Sequence, residues 1–166
     1  MKTNIVRYVS LCLVLLWMGV IFAFSAQEEK KSSDVSHGVV VRVAEVTYPN
    51  YKKLNEVEQK AVINKYFVPV RKLAHFSEFF VLGALIFLFM TTFAGVGARY
   101  KFLITAGAGA LYAVSDELHQ FFVSGRSCKA LDVLIDTAGV MLAAGIELLI
   151  FLKIRGVKGE RQKPEA

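Results

Sequence analysis

Residues 102–123, FLITAGAGALYAVSDELHQFFV, decide how this chain is read. A helix of this length rises about 33 Å, enough to cross the roughly 30 Å hydrocarbon core of a bilayer. Its last turns nevertheless carry Asp116, Glu117, His119 and Gln120, and Arg126 follows in the next loop. Such groups are expensive at membrane depth unless they face a bundle interior, a wet cavity or one another. Read as a span, the stretch is a membrane helix with one polar end, and that end needs partners.

Three further apolar blocks approach the same length, at about residues 5–24, 73–94 and 133–152. The chain is 55% hydrophobic with a mean hydropathy of +0.47, too apolar for an ordinary soluble domain of 166 residues. The expected fold is therefore all-α and integral to the membrane. It is one domain over residues 1–166, with four transmembrane helices and a helical extracytoplasmic loop, 25–72, between the first and second. The first block also fits a secretory signal, with Ala23 and Ser25 as small residues ahead of a cleavage site; its length favours a retained helix. Cys12 lies inside that block and Cys128 in a short loop, a placement that argues against a disulfide and against any metal-type cysteine spacing.

The formal charge of +6 does not indicate nucleic acid, because the basic residues flank apolar blocks. Lys153, Arg155, Lys158, Arg161 and Lys163 follow the last block, Lys2 and Arg7 flank the first, and Arg99 and Lys101 fill the second loop. In a four-span chain these three sites share one side, so the positive-inside rule places both termini in the cytoplasm. The first loop opposes this with nine Lys/Arg against six Asp/Glu, but it is long and its charges are mixed. The tail, 155–166, reads as polar and disordered.

Within the first loop, Val35, Val39, Val40, Val43 and Val46 recur at helical spacing after Ser32-Ser33-Asp34. Tyr48-Pro49-Asn50 reads as a turn, and Leu54, Val57, Ala61 and Val62 form a second stripe. Two amphipathic helices resting on lipid, or a small helical cap packed on the bundle, fit equally well; a short strand over 39–43 would have nothing to pair with. Pro69 falls where the second span should begin. Gly107, Gly109, Gly139 and Gly145 are small residues that let membrane helices approach.

On this topology the polar groups converge. Arg71, Lys72, His75 and Glu78 open the second span, and Asp116, Glu117, His119 and Gln120 close the third. Asp132 and Asp136 open the fourth, Ser25 and Gln27 close the first, and Arg126 lies in the last loop. Spacings of three and four put Arg71, His75 and Glu78 on one face, and Asp116, His119 and Gln120 on another. One outward-opening polar pocket ringed by these residues is the expected solution. Glu147 stands apart, toward the other interface, where it would snorkel or pair with a terminal lysine.

FSAQ (24–27), RKLAHFSEFFVLG (71–83) and YAVSDELHQFFVSGRSCKALDVLIDTAG (112–139) resemble the VanZ-like family of bacterial membrane proteins. The resemblance covers nearly the whole chain and carries the family pattern onto Lys72, His75, Glu78, Asp116, Glu117, His119, Gln120, Arg126, Asp132 and Asp136. It implies a multi-pass protein of the bacterial plasma membrane and a contribution to low-level glycopeptide resistance of the teicoplanin type. A resistance phenotype names no reaction.

Three uses of the pocket follow from the residues. As an enzyme, His75 or His119 would be the general acid or base, with Glu78, Glu117 or Asp116 holding the imidazole tautomer, and Asp132 or Asp136 a second acid–base group or nucleophile. Gln27, Arg71, Lys72, Gln120 and Arg126 would bind the substrate, an anionic lipid-linked envelope precursor. A divalent metal is a second possibility, with His75, Glu78, Asp116 and His119 as candidate ligands, although Lys72 and Arg126 would repel a cation unless paired. In the third use the constellation only binds lipid or ligand, or ties the bundle together by salt bridges.

Overall fold

The chain folds into five α-helices in this computed structural model, which describes residues 2–161, and glycine, proline or asparagine marks every break between them but the first, at 26–28. They are α1 (Lys2–Ser25), α2 (Glu29–Thr47), α3 (Glu56–Thr91), α4 (Ala98–Phe121) and α5 (Ala130–Arg161), with a 3-10 turn at Tyr51–Lys53. No strand occurs among the described residues, and valines 39–43 are helical.

Four transmembrane helices were expected; among the described residues three helices, α1, α3 and α5, are long and apolar enough to cross a membrane. The difference lies in α4. Its 24 residues would rise about 36 Å, so length is sufficient. Arg99, Lys101, Asp116 and Glu117 near its two ends, and the Ala–Gly run 106–110 between them, lower its apolarity.

A second difference concerns the loop. The stripe at Leu54–Val62 does not form a separate helix, because α3 runs unbroken for 36 residues through Pro69. Asn55 caps it: its side chain accepts from the Glu58 N–H at 2.9 Å, and the Glu58 carboxylate takes the Asn55 N–H at 3.0 Å. Pro69 has a φ suited to helix and leaves the carbonyl of the exposed Lys65 without its helical N–H donor, one lost bond through which α3 continues. At about 54 Å, α3 exceeds a bilayer core by some 24 Å, and its N-terminal turns stand clear of any span it makes.

Those turns support α2. The turn at Tyr48-Pro49-Asn50 forms as read, with Asn50 in the left-handed region (φ 60°), a conformation asparagine tolerates better than most residues. Val40 and Ala44 are buried, the latter with Tyr51 and Val62, whereas Val39 and Val46 are exposed. The segment is thus a cap packed on α3. The side chain of Val35 lies outside the described residues.

The main core joins α1, α3, α4 and α5 through Val14, Ile21, Phe79, Leu82, Ile86, Met90, Ala113 and Val140. Helix α3 packs most extensively on α5, and α4 packs next most extensively on α5. Glycine decides these crossings. A Cβ at Gly139 would stand 2.5 Å from the Phe76 carbonyl oxygen, one at Gly83 2.7 Å from the Val140 backbone, and one at Gly109 2.5 Å from the Val140 side chain. Gly107 and Gly145, also expected at crossings, have open space where a Cβ would go.

At the end where α3 stops, its terminal carbonyls lack helical donors. Lys101, 1% exposed, turns its ammonium onto the carbonyls of Met90 and Phe93. Arg7 donates to the Thr92 carbonyl at 3.1 Å and lies over the Phe93 ring. Lys101, read in the sequence as a topology marker, is a buried cap. Helix α5 continues to Arg161, past the start of the expected tail; residues 162–166 lie outside the described residues.

Candidate functional site

At the other end of the bundle, four segments bring polar groups together. The last turn of α1 supplies Ser25, whose hydroxyl donates to Asp116 Oδ2 at 2.8 Å. Gln120, one turn beyond Asp116 on α4, donates to the same oxygen at 2.8 Å and to Ser25 Oγ at 3.3 Å. All three are buried. Gln120 Oε1 accepts from Arg126 Nη1 at 2.9 Å, and Arg126 Nη2 donates to the Phe24 carbonyl at 3.3 Å. Gly125, at φ 78°, takes a backbone shape that disfavours other residues, and the loop there turns Arg126 back over the helix it has just left. Burial lowers the Arg126 pKa, and the like charge of Arg71 lowers it further; Asp116, Glu117 and Glu78 act against both.

Two cavities of about 210 and 220 Å³ adjoin this chain of bonds. The first is lined by Phe24, Gln27, Ser36, Val39, Val70, Arg71, Ala74, His75, Glu78 and Arg126. The second is lined by Phe67, Val68, Arg71, Lys72, His75, Gln120, Gly125, Arg126, Ser127, Lys129 and Asp132. Arg71, His75 and Arg126 border both. Lys72 pairs with Asp132 across α3 and α5. His75 Nδ1 lies 4.0 Å from Glu78 Oε2, while Arg71 has no carboxylate within ion-pairing distance among the described residues.

The expected constellation therefore divides. Gln27, Arg71, Lys72, His75, Glu78, Gln120, Arg126 and Asp132 border one cavity or both. Asp116 holds the frame just behind them. Glu117, 2% exposed, accepts the Lys129 N–H at 2.9 Å, so its carboxylate stands at the N-terminal end of α5, where the helix dipole favours a negative charge. His119 faces α1 as Asp116 does, but it stacks its ring on Phe22, with centroids 4.4 Å apart, and borders neither of the cavities it was expected to ring. Asp136 is 0% exposed, beneath the cavities, and neither of its oxygens has a hydrogen-bond partner among the described residues. Glu147 makes no ion pair among the described residues; one of its oxygens is buried without a hydrogen-bond partner.

The four candidate metal ligands do not assemble. His75 and Glu78 adjoin, but His119 has turned to Phe22, and among the described residues no three His, Cys, Asp or Glu side chains gather as a metal-binding group. Cys12 and Cys128 are free and exposed.

Some contacts were not read from the sequence. Trp17 Nε1 donates to the Glu78 carbonyl at 2.9 Å, and Tyr112 Oη to the Met18 carbonyl at 2.7 Å, tying α1 to α3 and α4 behind the site. A single tryptophan in mid-span was the available signal, since a buried indole N–H seeks an acceptor. Ser25 was read as a polar group closing the first span and as part of FSAQ, and its bond to Asp116 gives that motif a physical reason.

No curated protein and no solved structure matches the chain. A protein-family model described as VanZ/LLP1 matches residues 10–152, which include all four polar segments. That match spans most of the chain, from α1 through the apolar length of α5, and on this ground the chain belongs to the VanZ/LLP1 family.

Proposed function

We propose that this end of the bundle binds the anionic group of a membrane-bound cell-envelope molecule, and that occupancy lowers the action of a teicoplanin-type glycopeptide. The observation that carries the reading is the pair Arg71 and Arg126, which border both cavities, with no carboxylate within ion-pairing distance of Arg71 among the described residues. Two guanidiniums on one opening, each raising the cost of the other's charge, are neutralised best by an anion whose oxygens match their forked donors. Cavity size supports the target over the drug as ligand. About 210–220 Å³ each falls below the roughly 300–1,000 Å³ of pockets that enclose drug-sized molecules, so a headgroup fits where a glycopeptide does not.

In this reading α4 completes a four-span bundle, its polar ends turned onto α1, α3 and α5 in place of lipid. Both termini are cytoplasmic and the site opens on the extracytoplasmic side of a bacterial plasma membrane. A periplasmic-active reporter at the C-terminus that gave signal would reverse the orientation.

A catalytic use of the same site rests on His75 and Glu78, an imidazole and a carboxylate 4.0 Å apart beside the arginines. Expression in a susceptible host separates the two uses. Arg71→Gln and Arg126→Gln, at wild-type membrane levels, should each abolish most of the rise in teicoplanin inhibitory concentration. His75→Asn should abolish it only if proton transfer is required. Full protection by a folded Arg71→Gln/Arg126→Gln double variant would refute the anion site.

A further inference from the structure

We infer that the ligand is an amphiphile: a lipid phosphate whose apolar chain enters the first cavity while its phosphate rests between Arg71 and Arg126 and its polar substituent enters the second. This deepens the anion-site reading and rests on it. The two cavities differ in lining. The first is walled by Phe24, Val39, Val70 and Ala74, carbon surfaces contributed by three helices. Phe24 is 49% and Val39 51% exposed, so the apolar wall reaches the outside of the molecule. Beyond it α3 carries further exposed apolar side chains, with Leu73 at 63% beside Ala74 and Val81 at 37% two turns on along the same face, surface that hydrocarbon covers at no cost.

The second cavity has a different rim. Ser127 and Lys129 stand exposed at its mouth and the Lys72–Asp132 pair lies on its wall, groups that keep company with water and hydroxyls. Arg71, His75 and Arg126 lie on the boundary between the two spaces. A molecule with a hydrocarbon part, then a phosphate, then a polar part matches this order; inorganic phosphate or a free sugar phosphate uses only the middle and one side. At about 210 Å³ the first cavity takes only the beginning of a chain, so the remainder must leave through the Phe24–Val39 rim into lipid.

The experiment uses the full chain in detergent, followed by fluorescence of Trp17, the one tryptophan, which is bonded to the backbone of Glu78 beside the first cavity. The probes are inorganic phosphate, glycerol phosphate, a short-chain lysophosphatidate and the matching uncharged monoacylglycerol, all below their micellar concentrations. Lysophosphatidate should bind at least tenfold more tightly than glycerol phosphate and than monoacylglycerol. In Ala74→Phe, and separately in Val39→Asp, the two phosphates measured on the same variant should converge to within about threefold. Glycerol phosphate binding as tightly as lysophosphatidate would overturn the amphiphile while leaving the anion site standing. Monoacylglycerol equal to lysophosphatidate, or no binding of any phosphate, would overturn both. A chain-dependent gain that survives both cavity variants would overturn the assignment of the chain to the first cavity.

Discussion

Replacing Gly139 by alanine adds one methyl group where α5 crosses α3. That carbon would stand 2.5 Å from the Phe76 carbonyl oxygen and 3.1 Å from the Phe80 nitrogen, backbone atoms that cannot swing aside as a side-chain tip can. Restoring an ordinary 3.4 Å contact requires the helices to part by about 0.9 Å. Overpacking of this kind costs about 1–3 kcal/mol. Helix propensity acts in the opposite direction, since alanine exceeds glycine by up to about 1 kcal/mol in a helix interior. Gly145 on the same helix separates the two effects: nothing lies within 4 Å of its added Cβ, so only the propensity gain applies. The propensity contribution is common to both substitutions, and their difference isolates the clash at about 1–3 kcal/mol. Purified Gly139→Ala and Gly145→Ala, unfolded by heat or denaturant in one detergent and followed by circular dichroism, should diverge by that amount, with Gly145→Ala at or above wild type. Equal stabilities would refute the described α3–α5 crossing. The parting also begins beside His75 and near the Lys72–Asp132 pair, so Gly139→Ala should weaken anion binding, whereas Gly145→Ala should not.

At the opposite end, Lys101→Met keeps an unbranched stem but removes the charged donor that the Met90 and Phe93 carbonyls share, leaving each with one backbone N–H; it should cost about 1–3 kcal/mol in the same unfolding assay and leave anion binding unchanged. Ser25→Ala removes a donor from Asp116 and an acceptor from Gln120. A loss of about 1–3 kcal/mol is expected, with weaker anion binding because Gln120 also holds Arg126. The Lys72–Asp132 pair is partly exposed, and a double-mutant cycle with Lys72→Met and Asp132→Asn should return a coupling below about 1 kcal/mol. A coupling of several kcal/mol would make that pair a structural clamp.

Hydrophobic blocks were legible because a bilayer imposes a length on apolar runs, and α1, α3 and α5 follow that length. What block reading does not register is continuity across a polar stretch. Residues 56–72 carry six charged side chains and a proline, yet they begin at a capping box, and α3 carries them as an extension of its apolar half. Spacing rules placed Arg71, His75 and Glu78 on one face correctly, because α3 is regular there. The same rule put His119 with Asp116 and Gln120, and all three do face α1; what one helix's periodicity does not show is that Phe22, a turn before Ser25, takes the imidazole in a stack and keeps it out of the cavities. Glycines show the same limit. Gly139 and Gly109 are at crossings and Gly107 and Gly145 are not, although all four look alike as small residues in an apolar run.

The polar groups at this depth sort by whether the fold itself bonds them. Asp116 is held by Ser25 and Gln120, Glu117 meets the start of α5, and Lys72 is paired with Asp132, so these groups have partners within the fold. Gln27, Arg71, His75 and Glu78 border a cavity and make no hydrogen bond to the frame through their side chains among the described residues. Arg126 belongs to both sets. Its terminal nitrogens reach Gln120 and Phe24, while its Nε is buried without a partner. A cation needed only to join α1 to α4 would be satisfied by those two bonds and would gain nothing from a second guanidinium nearby. Arg71 instead raises the cost of that charge, and a fold that keeps both arginines on one opening is explained by what comes between them.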